Sequence, residues 1–191
     1  PISSLSICPL SAAVASRATE ARRAMRGVLT TVVVLALAPL VVVGLLWAGQ
    51  ERMIFLPDTR PFAAPPGWTR ETLRTTEGLD LAFLVTAPVP GAPVLLHFHG
   101  NGGLLVNYFN KITPLIKYGF QIFVFDYSGF GFSEGEATRE NVLIDGNSAL
   151  TYLKSRDDVK NTKLVIYGQS LGGHLSAVVA EQRQDEIDGL V

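Results

Sequence analysis

The sequence contains one cysteine, Cys8, among 191 residues, and its formal net charge is −1. A single cysteine excludes an intramolecular disulfide and any cysteine-rich zinc site. No cluster of lysine and arginine lies along the part that we expect to fold. The electrostatic pattern of a nucleic-acid-binding protein is therefore missing, and we expect no nucleic acid partner.

The fingerprints of nucleotide binding are missing as well. No G-x-x-x-x-G-K-[ST] motif occurs, and Gly129-Phe130-Gly131 lacks the third glycine of the dinucleotide-binding pattern. We therefore expect no cofactor and no bound metal. Apolar residues make up 48% of the chain, which is ample for a real hydrophobic core.

One long apolar run stands out near the N-terminus. Residues 28–47 carry no charge and include only Thr30 and Thr31 as polar side chains, so we predict a transmembrane helix over 28–48. The alternative is a cleaved signal peptide, but Leu46-Trp47-Ala48 fits a cleavage site poorly. Residues 1–27 are predicted to be a tail, either native or a read-through upstream of a start at Met25.

The charges around this run predict an orientation. Arginines precede it, whereas the residues after it have mixed charge. The positive-inside rule then places the N-terminus in the cytoplasm and the remainder of the chain outside it. The arginines are Arg17, Arg22, Arg23 and Arg26.

Beyond a proline-rich connector over 49–68, the pattern predicts one α/β domain over 69–191. Strands are expected at 71–76, 79–86, 94–98, 121–126, 163–169 and 187–191, and helices at 104–118, 138–155 and 171–181. This alternation is typical of a mostly parallel sheet with helices on both faces. The glycine-rich loops after three of the strands should meet at one edge of the sheet.

The last of these loops contains the pattern G-x-S-x-G over residues 168–172. Between a buried strand and a helix, it predicts a sharp turn that exposes the hydroxyl of Ser170 as a nucleophile, with Gly168 and Gly172 making room for the turn. The backbone N–H groups of Leu171 and Asn101 are candidate oxyanion donors. The alternative is a packing turn without chemistry.

A general base for Ser170 is harder to find, since the sequence has three histidines. We expect a structural role for each: His97 within a buried strand, His99 in the loop that carries the oxyanion donor, and His174 on the packing side of a helix. We also expect a structural role for Asp126, whose carboxylate would accept the amides of the glycine-rich turn that follows it.

Three segments together resemble the α/β-hydrolase superfamily, most closely its membrane-anchored, serine-aminopeptidase-like hydrolases with an N-terminal span. They are FHGNGG (98–103), FDYSGFGFSEG (125–135) and YGQSLGG (167–173). The resemblance implies the three-layer α/β-hydrolase fold, Ser170 as nucleophile, and Asn101 and Leu171 as oxyanion donors. It also implies that the remaining motif residues support the site, namely His99, Gly100, Gly102, Gly168 and Gly172.

The resemblance further implies a triad acid and then a histidine after later strands. No histidine follows His174 in this sequence, and none of the acidic residues that follow the turn at Ser170 lies after the expected strand. These acidic residues are Glu181, Asp185, Glu186 and Asp188. We therefore expect this chain to be the N-terminal part of a hydrolase and inactive by itself, with the triad acid, the histidine and any cap beyond Val191.

The expected activity is hydrolysis of an ester, thioester or amide through an acyl-enzyme on Ser170. A serine at this position argues against the dehalogenase and epoxide hydrolase chemistries of the superfamily, which use a carboxylate nucleophile. The alternative is a catalytically silent α/β-hydrolase scaffold with a binding or membrane-associated role.

Overall fold

The computed structural model describes residues 9–102 and 105–191, and it divides into two compact units, Pro1–Gln50 and Glu51–Val191. Gly103, Leu104 and the first eight residues of the predicted tail lie outside the described residues. One long helix, α1, covers Pro9–Ile54. It is long and apolar enough to cross a membrane by length and composition.

Helix α1 continues past both ends of the predicted span, and the two polar side chains of that span, Thr30 and Thr31, bond to the preceding turn. The hydroxyl of Thr30 donates to the carbonyl of Arg26 at 2.9 Å, and that of Thr31 donates to the carbonyl of Gly27 at 3.0 Å. Such bonds to the preceding turn remove the cost of a bare hydroxyl in an apolar setting.

The second unit alternates strands and helices, as the sequence predicted. Its strands are β1 (Trp68–Arg74), β2 (Asp80–Thr86), β3 (Val94–Phe98), β4 (Gln121–Phe125), β5 (Leu164–Gly168) and β6 (Gly189–Leu190). Its helices are α2 (Val106–Ile112), α3 (Arg139–Ser155) and α4 (Leu171–Gln182), with 3₁₀ turns at Thr113–Tyr118 and Gln184–Glu186.

The six strands form one mixed sheet in the order β1-β2-β4-β3-β5-β6. Strands β4, β3, β5 and β6 run parallel, while β1 and β2 form a hairpin that pairs antiparallel with β4. The carboxyl ends of β3, β4 and β5 therefore lie at one edge of the sheet, where the three glycine-rich loops were expected.

Both faces of the sheet are covered by helices. On one face Phe98, Phe123 and Ile166 pack with Val142 of α3 and Val179 of α4. On the other, a smaller cluster joins the sheet to α2; its members are Leu84, Leu95, Leu105, Phe109, Ile112, Ile122 and Val124, together with Trp68. Strands β3 and β4 are buried along their whole length, which explains their continuous apolar sequence.

Two helical segments begin or end at the residues that the sequence predicts. Thr138 is the N-cap of α3, and its side chain accepts the N–H of Asn141 at 3.1 Å. Gly119 ends the α2 region with φ of 86°, a left-handed conformation that a glycine adopts without strain.

Candidate active site

The turn between β5 and α4 has the geometry of a nucleophile elbow. Ser170 precedes the first residue of α4 with φ 55° and ψ −116°, and among the described residues it is the one non-glycine with positive φ. Such a conformation costs about 1–3 kcal/mol and persists only where the surroundings impose it. The residue is exposed, and its hydroxyl makes no hydrogen bond to a described residue.

The two glycines of the motif are required because the backbone passes too close for a side chain. A Cβ on Gly172 would lie 2.0 Å from the carbonyl oxygen of Phe98 and 2.5 Å from that of His99. A Cβ on Gly168 would lie 2.2 Å from the hydroxyl of Ser176. The pattern G-x-S-x-G therefore lets α4 pack directly against the end of β3.

The loop after β3 lies beside Ser170, as predicted. A Cβ built on Gly100 would be 3.5 Å from the Cβ of Ser170, and the N–H of Gln169 donates to the carbonyl of Phe98 at 3.1 Å. Neither the N–H of Asn101 nor that of Leu171 meets a hydrogen-bond acceptor among the described residues. Two free donors thus lie in the segments next to the exposed serine.

Two tyrosines hold this loop, and the sequence analysis did not single them out. The hydroxyl of Tyr127 donates to the carbonyl of His99 at 2.9 Å, and that of Tyr108 donates to the carbonyl of Gly102 at 3.0 Å. Tyr127 follows directly on Asp126 at the end of β4, so its place at this edge was visible in the sequence. Tyr108 lies on α2, and no local pattern indicated its contact.

His99 is fully buried, and its ring contacts the backbone of the loop. Its Nδ1 lies 2.8 Å from the carbonyl oxygen of Gly100, so the neutral ring with its proton on Nδ1 donates to that oxygen. Burial lowers the pKa of His99 to about 4, although the bond to Gly100 opposes this shift. The ring is therefore neutral at pH 7 and bonds to the backbone of the loop.

Asp126 faces His99 from the end of β4. Its Oδ1 lies 3.8 Å from Nε2 of His99, and both side chains are fully buried. Burial raises the pKa of Asp126 to about 7, against a smaller opposite effect of the Phe132 amide. We expected its carboxylate to accept the amides of the following turn. Neither oxygen has a partner with ordinary hydrogen-bond geometry among the described residues, and a Cβ built on Gly131 would collide with this carboxylate.

The other two histidines lie in different environments. His97 is buried, stacks on Tyr167 with ring centroids 5.2 Å apart, and has a pKa lowered to about 3, chiefly by burial. His174 is exposed on α4, so its predicted place on the packing side was wrong. The buried face of α4 is formed by Gly172, Leu175, Ser176 and Val179. None of the three histidines forms a hydrogen bond with Ser170.

A buried carboxylate supports the loop after β4. Asp145 of α3 accepts the N–H of Ser128 at 2.7 Å and its hydroxyl at 2.9 Å. Burial raises the pKa of Asp145 to about 6, while the two bonds from Ser128 counter part of that shift. This contact joins α3 to the edge of the sheet where the glycine-rich loops lie, and nothing in the sequence pattern indicated it.

Solved structures share this architecture. An esterase of Pyrococcus furiosus superimposes with a TM-score of 0.60 at 19% identity, over 70% of this chain and 55% of the esterase. A carboxyl esterase of Bacillus coagulans gives a TM-score of 0.56 at 14% identity, over 66% of this chain and 44% of that one. At these identities the likeness is one of fold.

Sequence relatives show the same partial overlap. The alpha/beta hydrolase domain-containing protein WAV2 of Arabidopsis thaliana is 27% identical over 161 residues, covering 78% of this chain and 52% of WAV2. The uncharacterized protein YfhR of Salmonella typhi is 34% identical over 126 residues, covering 63% of this chain and 43% of YfhR. The chain thus spans about half the length of these curated relatives.

A family model for the alpha/beta hydrolase fold matches residues 93–191, just over half of the chain. The matched region contains all three motifs and the whole of the edge described above, from the loop after β3 to α4. The match, the sheet order and the elbow agree with one another, and the chain belongs to the alpha/beta hydrolase family.

Proposed function

We propose that this protein is a serine hydrolase that cleaves an ester, thioester or amide through an acyl-enzyme on Ser170. The observation that supports the proposal is the conformation of Ser170, exposed at the start of α4 with φ 55°. Strain of this kind at a non-glycine residue is concentrated at functional sites. Esterases among the structural neighbours agree with the proposal.

In the proposed mechanism, Oγ of Ser170 attacks the carbonyl carbon of the substrate and negative charge develops on the carbonyl oxygen. The free N–H groups of Leu171 and Asn101 would stabilise that charge, and the former lies at the N-terminus of α4, where the helix dipole adds to the effect. The base that takes the proton of Ser170 passes it to the leaving group, which then departs, and water hydrolyses the acyl-enzyme.

The mechanism also needs a base and a triad acid, and we propose that neither is among the residues of this sequence. His97 and His99 are buried and neutral, and His174 forms no hydrogen bond with Ser170. The same observation favours a second candidate function, a silent scaffold of the same fold that binds without catalysis.

Labelling with a fluorophosphonate probe distinguishes the two candidates. We expect the protein expressed from its natural reading frame to be labelled, and Ser170→Ala to lose the label completely because the probe phosphonylates an activated serine. Ser155→Ala is the matched control, since Ser155 is also an exposed serine but lies at the end of α3, outside the elbow. Equal labelling of the wild type and Ser170→Ala would contradict the nucleophile assignment, and no labelling of either would favour the scaffold.

We further propose that α1 anchors the protein in a lipid bilayer, with the N-terminus in the cytoplasm and the hydrolase domain outside it. The length of α1 and the local bonds of Thr30 and Thr31 support the anchor, and the arginines before it support the orientation. The labelled protein should then stay with membranes after a carbonate wash, and the label should be accessible to an impermeant probe. A label that is released by carbonate would contradict the anchor.

A further inference from the structure

The loop that carries the proposed oxyanion donor is tied to a distant part of the chain by the side chain of Asn101. Its Oδ1 accepts the N–H of Leu56 at 3.0 Å, and its Nδ2 donates to the carbonyl of Ile54. These two backbone groups flank Phe55. A side-chain amide thus pairs with residues 54–56 through one donor and one acceptor, as a peptide group of a neighbouring strand would.

Residues 51–58, which we call the collar segment, are themselves held firmly by the domain. Phe55 belongs to the main hydrophobic core and is 6% exposed. The carbonyl of Asp58 accepts the N–H of Gly131 at 2.9 Å, and the carboxylate of Glu51 accepts the N–H of Arg139 at the start of α3, at 3.0 Å. The collar segment therefore offers Asn101 a fixed support.

The position of Asn101 within the loop explains why such a support matters. The carbonyls of the residues on either side are fixed, that of Gly100 by His99 and that of Gly102 by Tyr108. Asn101 itself is held by the hydrogen bonds of its side chain, because its N–H meets no acceptor among the described residues. An oxyanion donor contributes most when it is already in place before the charge develops.

We propose that Asn101 is a positioning residue whose side chain fixes the oxyanion loop on the collar segment, so that its own N–H points at the developing oxyanion. This inference rests on the proposed hydrolase function. The main chain and the side chain of Asn101 then have separate roles. The main-chain N–H binds the oxyanion, and the side chain holds that N–H in place.

The two roles can be tested separately, because substitutions at position 101 remove the side-chain amide and keep the backbone N–H. In Asn101→Ala of the protein expressed from its natural reading frame, we expect kcat to fall about 10- to 100-fold with KM within about threefold of wild type, since the loss is confined to the transition state. Asn101→Asp should be at least as impaired, because its carboxylate would face the carbonyl of Ile54. Asn110→Ala is the control, since Asn110 is exposed on α2 and should change neither constant.

Amide hydrogen exchange supplies a readout that does not depend on turnover. The Leu56 amide should exchange at least tenfold faster in Asn101→Ala than in the wild type or Asn110→Ala, because alanine removes the oxygen that accepts this N–H. Unchanged exchange at Leu56 would overturn the tie, and faster exchange with wild-type kcat would overturn the positioning role. If the wild type shows no Ser170-dependent turnover, the proposed function fails and the positioning role with it, while the exchange rates still decide whether the tie exists.

Discussion

Replacing Gly172 by alanine is expected to destabilise the domain by more than about 4 kcal/mol, against a total stability of about 5–15 kcal/mol for an ordinary domain. The added Cβ would lie 2.0 Å from the carbonyl oxygen of Phe98 and 2.5 Å from that of His99. Both neighbours are backbone atoms at the end of a fully buried strand. A change of side-chain rotamer therefore cannot relieve the clash. Helix α4 would have to shift off the sheet.

The adjacent glycine is the matched control. A Cβ on Gly173 would meet its nearest atom, the carbonyl oxygen of Gly168, at 3.6 Å, which is ordinary van der Waals contact. Since glycine within a helix is less favourable than alanine by about 0.5–1 kcal/mol, Gly173→Ala should be neutral or slightly stabilising. Urea unfolding of both variants measures the difference. Similar unfolding midpoints for the two would show that α4 does not pack on β3 as described.

The second large effect is expected from Ser170→Gly, which should lose activity and gain stability at once. In the proposed acyl-enzyme mechanism, loss of the nucleophile should lower kcat by about 10⁴ to 10⁶. Glycine also adopts positive φ without a steric penalty, so the strain at φ 55° is released and the protein should gain about 1–2 kcal/mol. For a protein of this size, each kcal/mol raises Tm by about 2–4 °C.

Ser170→Ala separates the loss of the hydroxyl from the release of backbone strain. It removes the hydroxyl but keeps a Cβ in the strained conformation. We expect Ser170→Ala to be as inactive as Ser170→Gly but no more stable than the wild type. Thermal unfolding followed by circular dichroism, together with turnover of a p-nitrophenyl ester, tests both parts. If Ser170→Gly melts at the same temperature as Ser170→Ala, the elbow stores no strain.

The collar segment shows where local sequence patterns stop being informative. Four prolines between residues 57 and 66 indicated an extended connector, and the chain does leave helical structure after Ile54. Yet Phe55 is a core residue, and the bonds of Ile54 and Leu56 with Asn101 span 47 and 45 residues of sequence. Contacts at such separations cannot be read from hydrophobic periodicity. That signal comes from residues that recur at regular spacing within one helix or strand, and these contacts join two different segments.

By itself, the sequence determined the order of strands and helices, the elbow at Ser170 and the apolar helix near the N-terminus. These features depend on local chemistry: continuous apolar runs for buried parallel strands, Thr138 as a helix cap, and glycines where backbones touch. Tertiary structure alone decided the pairing of the β1–β2 hairpin with β4 and the exposure of His174. It also decided the tie between Asn101 and residues 54–56, because hydrogen bonds and burial depend on which segments the fold brings together.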